Sequence, residues 1–594
     1  MDVHIVAEDP VRAAVIAAFE DVESVEAVDA TPSDLEDARF AVVSDVVGAE
    51  TFHRADDACR VGGTPWIAVE VGGVGGQPLA AVDAAVAGFS ANTGWFDGLE
   101  ARVDSHLDQA EVAAEPKAQR PVARLAGAIA GRECIRLFSG EEPTLMGQVR
   151  ELPHARRQLL PTPGGAGSQP IDRDLDLADD ERLDLEAAVD RVELAIDDRM
   201  GVVESIGEVE SFPAPYYLAT VADTTVYSDA SAAKQAAGVA ADWNEALMKA
   251  TGEALERYCA GVYDDTSFLT ASLEDGDLAV EQTVTPEDVV RPDDAPAFDP
   301  EAEARWVEGR NLVTGERTYI HADIVQFPQP SKTYDDGPAP VPAITTGLGL
   351  GSSTVDALSS GLTEVIERDA TMCSWYSTFE PLEVTVSSER FDTLRRRARS
   401  EGLETTALLL TQDVDVPVVG VAVHRNLSDP TPDAEPWPHF AMGSAAGLDA
   451  GAAAVGALEE ALQNWMELES LGPDDADQAG GAIGEYGAFP EAAREFVDAD
   501  RTVAAASVGP ESVPTGADRL AALLERVTDA GLTPSAARLT TRDVERLGFE
   551  AVRVVVPGAQ PLFTGEPYFG ERAETAPVDL GFEPRLDRAF HPYP

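Results

Sequence analysis

The spacing of apolar and polar positions over residues 1–110 predicts a small α/β domain. Short apolar runs at residues 4–6, 40–43 and 66–71 are typical of buried strands. Val11 to Phe19 has the apolar spacing of a helix instead. Strands that alternate with helices favour a Rossmann-like unit, because parallel strands need a crossover between them.

Residues 111–184 have a different composition, rich in Ala, Arg, Pro and Asp. Residues 122–137 have the length of one helix, although Gly127 and Gly131 weaken that prediction. A Pro- and Gly-rich cluster at 161–167 is followed by an acidic run, so we place the main domain boundary here. Residues 185–594 then mix strand and helix patterns and form a large second domain.

The first of three amphipathic helices in that second domain is predicted at residues 243–258. Its apolar side includes Leu247 and Ala254, and its polar side carries Glu253 and Glu256. Residues three apart are neighbours on a helix surface, so these two carboxylates repel each other unless a cation lies between them.

The second amphipathic helix repeats the same E-x-x-E-R pattern 111 residues later. Glu364, Glu367 and Arg368 share its polar side with Ser360. A Gly- and Ser-rich loop at 345–353 leads into this helix, where free backbone amides can contact an anion.

The third amphipathic helix contains an E-x-x-Q pattern. Leu458 and Leu462 are predicted to face inward, while Glu460, Gln463 and Glu467 share one stripe.

Together the three patterns predict a site for ATP and Mg²⁺. Mg²⁺ prefers carboxylate and phosphate oxygens, and arginine binds phosphate through a two-pronged guanidinium group. The alternative is that such glutamates are only the wet faces of helices in a very acidic protein. That alternative explains any single motif well, but three related motifs less well.

The net charge of the chain excludes some classes of binding partner. The chain has 43 Lys and Arg against 107 Asp and Glu, which gives a formal net charge of −64. Such a surface repels nucleic-acid phosphates and anionic lipids, so neither is an expected partner. The acid is spread over the whole chain, which favours adaptation to a salt-rich cytoplasm. No apolar run is long enough to cross a bilayer, and the amino terminus lacks a signal-peptide pattern.

The cysteines and the nucleophile inventory predict neither disulfides nor covalent catalysis. Cys59, Cys134, Cys259 and Cys373 contain no C-x-x-C pair. Cys373 falls on the apolar side of the second helix and is predicted to be a core residue, and no convincing Ser-His-Asp or Cys-His set is present.

These motifs resemble those of the YcaO family, over about residues 185–594. The family motifs S-x-x-x-E-x-x-E-R and E-x-x-Q match Ser360 to Arg368 and Glu460 to Gln463. The earlier copy departs from the pattern, because Lys249 stands where the motif has serine. Further agreement comes from the stretch at 552–558 and from Gly570-Glu571-Arg572.

The resemblance implies an enzyme that uses ATP and Mg²⁺ to phosphorylate a backbone amide oxygen of a peptide or protein substrate. When a Cys, Ser or Thr side chain of the substrate attacks the carbonyl carbon, the phosphorylated oxygen becomes a good leaving group and the product is an azoline, as a cyclodehydratase forms. Attack by sulfide, delivered by a sulfur-transfer partner, forms a thioamide instead. A peptide-binding scaffold that uses nucleotide only for folding is the alternative from another class. Family members are often dimers, so a homodimer is also expected.

The resemblance also assigns roles to individual residues. Glu364, Glu367, Arg368 and Pro594 are the expected catalytic residues, with Pro594 ending a shortened P-x-P tail. The expected nucleotide contacts are Ser360, Arg257, Arg368, Glu460 and Gln463. The expected metal ligands are Glu253, Glu256, Glu364, Glu367 and Glu460.

The front domain resembles the degenerate ubiquitin-activating-type module fused to azoline-forming cyclodehydratases, which helps to hold the peptide. Relatives carry a zinc half-site there, but Trp95 and Gly98 stand at its cysteine positions. The second half-site is also missing near Gly164 and Gly167. Zinc is therefore not expected, and the expected organisation is a front domain at 1–110, a helical linker segment at 111–184 and a catalytic domain at 185–594.

Overall fold

The computed structural model describes most of the 594 residues. It leaves out residues 21, 23, 91–95, 108–109, 142, 155, 160–171, 274–277, 279–282, 336 and 426–436.

The front part of the chain forms a seven-stranded sheet with helices on both faces. The strand order is β2-β1-β3-β4-β7-β8-β9, parallel over the first four strands and antiparallel over the rest. The strands, with the hairpin β5–β6, are β1 (Asp2–Val6), β2 (Glu26–Asp29), β3 (Ala41–Val46), β4 (Trp66–Val71), β5 (Gly73–Val74), β6 (Gln77–Pro78), β7 (Ala84–Phe89), β8 (Gln148–Leu152) and β9 (Arg156–Leu159). The helices are α1 (Val11–Phe19), α2 (Glu50–Gly62), α3 (Phe96–His106) and α4 (Arg120–Ser139).

The segment at 111–184 contributes more than a helix and a linker. Strands β8 and β9 pair with β7 and extend the front sheet to Leu159. The predicted boundary at residue 110 thus falls inside one continuous sheet. The sequence pattern did not predict this, because the strands that pair are far apart along the chain.

Two glycines let α4 pack closely on α1. A Cβ added at Gly127 would lie 2.7 Å from the carbonyl oxygen of Val11, and one at Gly131 would lie 2.6 Å from Cβ of Ala18. The glycines that weakened the helix prediction are therefore where two helices touch.

The rest of the chain builds three further sheets. Their strands are β10 (Val203–Glu210), β11 (Tyr216–Val221), β12 (Gln235–Val239), β13 (Leu269–Ala271), β14 (Thr283–Val284), β15 (Ala304–Asn311), β16 (Arg317–His321), β17 (Leu348–Gly351), β18 (Leu382–Thr385), β19 (Glu404–Leu409), β20 (Val418–His424), β21 (Phe440–Ala446), β22 (Thr502–Ala504), β23 (Ser535–Arg538) and β24 (Glu550–Val555). Their orders are β10-β11-β12, β14-β16-β15-β23-β24-β17 with β13 beside β15, and β21-β20-β19-β18-β22.

The helices of this region cover those sheets. They are α5 (Leu185–Val192), α6 (Trp243–Gly261), α7 (Ala322–Val325), α8 (Pro330–Tyr334), α9 (Thr354–Trp375), α10 (Glu389–Ser400), α11 (Ala450–Leu471), α12 (Ile483–Tyr486), α13 (Glu491–Val497), α14 (Gly516–Asp529), α15 (Arg542–Leu547) and α16 (Glu571–Asp579). The architecture is mixed α/β, which confirms the predicted fold class.

Three of these helices carry the predicted motifs, and each lies on a different sheet. α6 packs on β11 and β12, α9 on β17 and β24, and α11 on β20 and β21. α9 is the most enclosed of the three, with Leu358, Leu362 and Trp375 fully buried in the largest apolar core. It also contacts β21, so the three helices converge around it.

Contacts through Arg102 tie the front part to the rest of the chain. This side chain is fully buried and donates hydrogen bonds to the carbonyls of Gly201 and Asp223, both at 2.7 Å. Of the helices that the structure describes, none combines the length and the apolar character needed to cross a membrane.

Candidate active site

Each of the three motif-bearing helices begins at a side-chain cap. The Asp242 carboxylate accepts hydrogen bonds from the first amides of α6, and Ser353 Oγ accepts one from the Asp356 amide of α9. Asp449 does the same for α11. Such caps satisfy amides that have no partner inside the helix, so they fix where each helix starts.

The first motif lies on a strand–helix unit, β12 and α6, and the second motif lies on a similar unit, β17 and α9, 111 residues later. Gly238 of β12 and Gly349 of β17 hold equivalent places, facing Ala246 and Ala357 of the following helices. An added Cβ would lie 2.3 Å from the carbonyl oxygen of Ala246 in the first copy and 2.5 Å from that of Ala357 in the second. Glycine is therefore needed at both positions for the helix to lie so close to its strand.

This close packing places strand amides against the motif glutamates. In all three units a backbone N–H within a strand or just before it donates to the first glutamate of the motif. Such bonds orient one carboxylate oxygen, and the other lies beside an arginine of the site. The pairs are Ala237 N to Glu253 Oε2 at 2.7 Å, Gly347 N to Glu364 Oε2 at 3.0 Å, and Ser444 N to Glu460 Oε2.

Arg368 lies at the centre of the convergence. Its guanidinium nitrogens are 3.9 Å from Glu364 Oε1, 3.5 Å from Glu367 Oε1 and 3.7 Å from Glu460 Oε1. Burial opposes its charged form, but the three carboxylates outweigh that effect and raise its pKa. Nη1 is buried and makes no hydrogen bond among the described residues, although it lies 3.5 Å from Glu367 Oε1.

Glu367 is held more deeply than the sequence predicted. Only 9% of the residue is exposed, and its Oε1 accepts a 2.7 Å hydrogen bond from Ser444 Oγ. Ser444 thus contacts glutamates of two helices, through its amide to Glu460 and through its hydroxyl to Glu367.

A single cavity of about 930 Å³ collects nearly all of the predicted site residues. Glu367 is the exception, since it lies behind Arg368. The predicted residues that line the cavity are Glu253, Glu256, Arg257, Ser360, Glu364, Arg368, Glu460, Gln463 and Pro594.

Glu256, Glu364 and Glu367 bind protons more tightly than free glutamates do, because their pKa values are raised. Burial, followed by the charges of Glu364 and Glu253, raises the pKa of Glu256 to about 8. Burial also raises the pKa values of Glu364 and Glu367. Negative charge is therefore in excess, and a bound cation would relieve it.

Arg553 is a member of the cluster that was not among the predicted site residues. It is buried and donates to the carbonyls of Thr345 and Ile344 at 2.8 and 2.9 Å. Burial lowers its pKa to about 10, while the charges of Glu364 and Glu256 oppose that shift. It lies on β24, and its place in the stretch at 552–558 that resembles the family was the signal that could have singled it out.

Arg257 has the same kind of partner as its counterpart Arg368, whereas Lys249 has a partner in another helix. Arg257 pairs with Glu253 of its own helix. Lys249, which replaces the motif serine, extends to α11 and contacts Glu459 Oε2 at 2.6 Å. Arg390 also contacts Glu459, at 2.6 Å through Oε1, so this buried glutamate joins three helices.

The last residues of the chain pack against the site. Tyr593 is fully buried, and burial raises the pKa of its phenol, with the charges of Glu460 and Glu367 acting in the same direction. Pro594 lies on the cavity wall. The predicted zinc half-site positions Trp95, Gly164 and Gly167 lie outside the described residues, and Gly98 lies on α3.

The cluster fits magnesium and a nucleotide. Its five glutamates outnumber the guanidinium groups of Arg257, Arg368 and Arg553. Hard carboxylate oxygens suit Mg²⁺, and guanidinium groups suit phosphate oxygens.

Comparison with known proteins agrees with this geometry. Residues 237–560 match the YcaO cyclodehydratase family, described as binding ATP and Mg²⁺. An uncharacterised protein of Methanothermobacter thermautotrophicus is 28% identical over 342 residues, which cover 56% of this chain and 82% of that protein.

Two solved structures share the fold. A heterocyclase solved with substrate and cofactor has a TM-score of 0.65 at 17% identity, covering all of this chain and 85% of that one. The heterocyclase TruD has a TM-score of 0.54 at 18% identity, covering 98% and 82%. The fold and the site define an ATP-dependent enzyme. The chain belongs to the YcaO family.

Proposed function

We propose that this enzyme activates backbone amides of a ribosomally made peptide by phosphorylation of the amide oxygen, and so forms azolines. One observation carries the proposal. Glutamates from α6, α9 and α11 converge on one cavity, with Arg257, Arg368 and Arg553 among them.

In this proposal the five glutamates have a shared task. Glu253, Glu256, Glu364, Glu367 and Glu460 hold Mg²⁺, and Ser360, Gln463, Arg257 and Arg368 contact the nucleotide. Bound Mg²⁺ and ATP supply the phosphoryl group and neutralise its charge during transfer. Arg368 is placed to contact a phosphate oxygen, because its side chain lines the cavity beside Glu364 and Glu460.

The cavity also has room for the peptide. Its volume of about 930 Å³ is shared between the charged cluster and a less polar wall. Tyr216 and Leu218 of β11 form part of that wall, opposite α11. An extended peptide lying along this wall brings a backbone amide towards the cluster, and Pro594 borders the same space.

Thioamidation is the second candidate for the same chemistry. Both reactions begin with attack on an amide carbonyl, and they differ in whether the nucleophile belongs to the substrate. The described residues place no cysteine at the cavity, so sulfide would have to come from a partner protein.

A substrate search in cell extract tests the proposal. Small proteins from the source strain, with the gene deleted, are incubated with the enzyme and Mg²⁺-ATP and analysed by mass spectrometry. We expect peptides that have lost one water, in amounts that depend on ATP. Exchange of one oxygen for sulfur would identify thioamidation instead. No mass change, with ATP turnover also absent, would leave the non-catalytic scaffold as the better account.

The matched variants are Glu364→Gln and Glu525→Gln. The first removes a charge from the cluster and should abolish both product and ATP turnover. The second removes an equal charge from an exposed position on α14 and should leave both unchanged.

A further inference from the structure

α11 carries one cavity-lining carboxylate that is not part of the repeated motif. Glu467 lies seven residues after Glu460 on the same stripe and borders the same cavity. The equivalent positions of α6 and α9 are Ala260 and Thr371, which are fully buried and cannot ionise in the neutral range. α11 therefore adds a proton acceptor that the other two helices lack.

The surroundings of Glu467 favour an exchangeable proton over a structural ion pair. The side chain is half-buried, and it forms no hydrogen bond or ion pair with the residues that the structure describes. A carboxylate that loses water without gaining a partner is destabilising, so a structural role does not account for it. Burial raises its pKa, which makes it a better proton acceptor than a free glutamate.

Tyr216, on the facing wall, cannot take this role. Burial, followed by the charge of Glu467, raises the pKa of its phenol to about 12. The phenol thus stays protonated at neutral pH, and Glu467 is the member of this pair that accepts a proton.

The spacing along α11 matches the reaction. Seven residues of α-helix span about 10 Å, so Glu467 lies about that far along the axis from Glu460. A proton acceptor lies about 3 Å from the nucleophile, and reacting atoms approach at about 3 Å before each bond forms. Three such separations in line, from the proton acceptor to the nucleophile, from the nucleophile to the carbonyl carbon and from the carbonyl oxygen to phosphorus, cover roughly 9 Å. This length is close to the axial distance between Glu460 and Glu467.

We propose that Glu467 is the general base for the attacking side chain of the substrate peptide, which rests on the function proposed above. A lone pair of the thiol sulfur or hydroxyl oxygen forms the bond to the amide carbon. The proton of that thiol or hydroxyl passes to the Glu467 carboxylate, and the bonding pair stays on the nucleophile. The π pair of the carbonyl moves to the amide oxygen, which becomes the oxygen to be phosphorylated.

The test compares Glu467→Gln and Glu467→Ala with Glu469→Gln in the extract assay described above. Glu469 is exposed on the same helix and does not border the cavity, so it controls for loss of charge. ATP hydrolysis without peptide and product formation with peptide are measured separately. Formate is then added to each variant, because a small carboxylate can occupy the space left by Glu467→Ala.

We expect Glu467→Gln to lower the rate of product formation about 100-fold, within the range for loss of a general base, with peptide-independent ATP hydrolysis unchanged. Formate should restore product formation to Glu467→Ala alone. Product formation by Glu467→Gln at the wild-type rate would overturn the proposal. A raised KM with unchanged kcat and no effect of formate would also overturn it, by assigning Glu467 to substrate binding. Absence of product from the wild-type enzyme would remove the proposed function itself, and the general base with it.

Discussion

Lys249 Nζ lies 2.6 Å from Oε2 of Glu459, which joins the first motif-bearing helix to the third. Glu459 is only 3% exposed at its side chain and also accepts from Arg390 and from the amide of Ala241. In the second copy of the motif the equivalent residue is Ser360, which borders the cavity itself. The lysine thus replaces a residue of the site with a contact that fixes the distance between α6 and α11.

The first prediction concerns Glu459→Gln. The change leaves Lys249 and Arg390 without their shared carboxylate, so we expect a loss of about 2 kcal/mol in the free energy of unfolding. Thermal unfolding followed by circular dichroism measures the change. Glu469→Gln, on the same helix but exposed, should lose far less, and equal losses would mean that the contact adds nothing.

Ser444→Ala should weaken magnesium binding. The hydroxyl donates to Glu367 and favours its ionised form, so its removal leaves that carboxylate harder to deprotonate. We expect Mg²⁺ affinity, measured by calorimetry with a non-hydrolysable ATP analogue, to fall about tenfold, equivalent to one ordinary hydrogen bond. Unchanged affinity would place Glu367 outside the metal site.

Stability without ligand should depend on pH in a defined direction. The folded-state pKa of Glu256 is raised to about 8 from an ordinary value near 4.5. Between these values the folded protein holds the proton and the unfolded chain does not, so Glu256 lowers stability as pH rises through this window. Glu364 and Glu367 act in the same direction.

Metal should oppose that loss. We expect the thermal midpoint at pH 8 to rise on addition of Mg²⁺ with the ATP analogue, and to rise less at pH 5.5, where Glu256 holds its proton. Differential scanning calorimetry at both pH values measures the shift in the thermal midpoint. A larger rise in the thermal midpoint at pH 5.5 than at pH 8 would contradict the predicted direction of the pH dependence.

Gly349→Ala should destabilise the second strand–helix unit. The added Cβ would lie 2.5 Å from the carbonyl oxygen of Ala357, and backbone cannot yield as a flexible side chain does. We expect a loss of about 3 kcal/mol, at the upper end of overpacking effects. Gly98→Ala is the control, since an added Cβ there meets nothing within 4 Å.

The parts of the fold that follow from local pattern could be predicted from sequence. The helix at Val11–Phe19 and the strand at Trp66–Val71 match their predicted bounds, because their apolar spacing is regular. Cys373 is buried, as its position on the apolar side indicated. The joining of β8 and β9 to the front sheet was not predicted, since pairing between distant strands leaves no local signal.

The site residues on helices could likewise be predicted from local pattern, whereas those on strands could not. The E-x-x-E-R and E-x-x-Q patterns located the helices, because carboxylates at helical spacing are visible in sequence. Trp243 has the spacing of the apolar face of α6 but is 46% exposed, since it is the first residue of that helix and donates to Glu208. Ser444 and Arg553 were missed as contacts of the glutamates because both reach them from strands, through tertiary packing.

Calorimetric titration with Mg²⁺ and a non-hydrolysable ATP analogue tests the central claim, that glutamates of three helices together bind the magnesium nucleotide. We expect the wild-type protein and Glu525→Gln to bind alike, and binding to disappear in EDTA. Glu253→Gln, Glu364→Gln and Glu460→Gln, one from each helix, should each lose at least tenfold in affinity while retaining the wild-type circular dichroism spectrum. Wild-type affinity in any one of the three variants would show that its helix takes no part in the site.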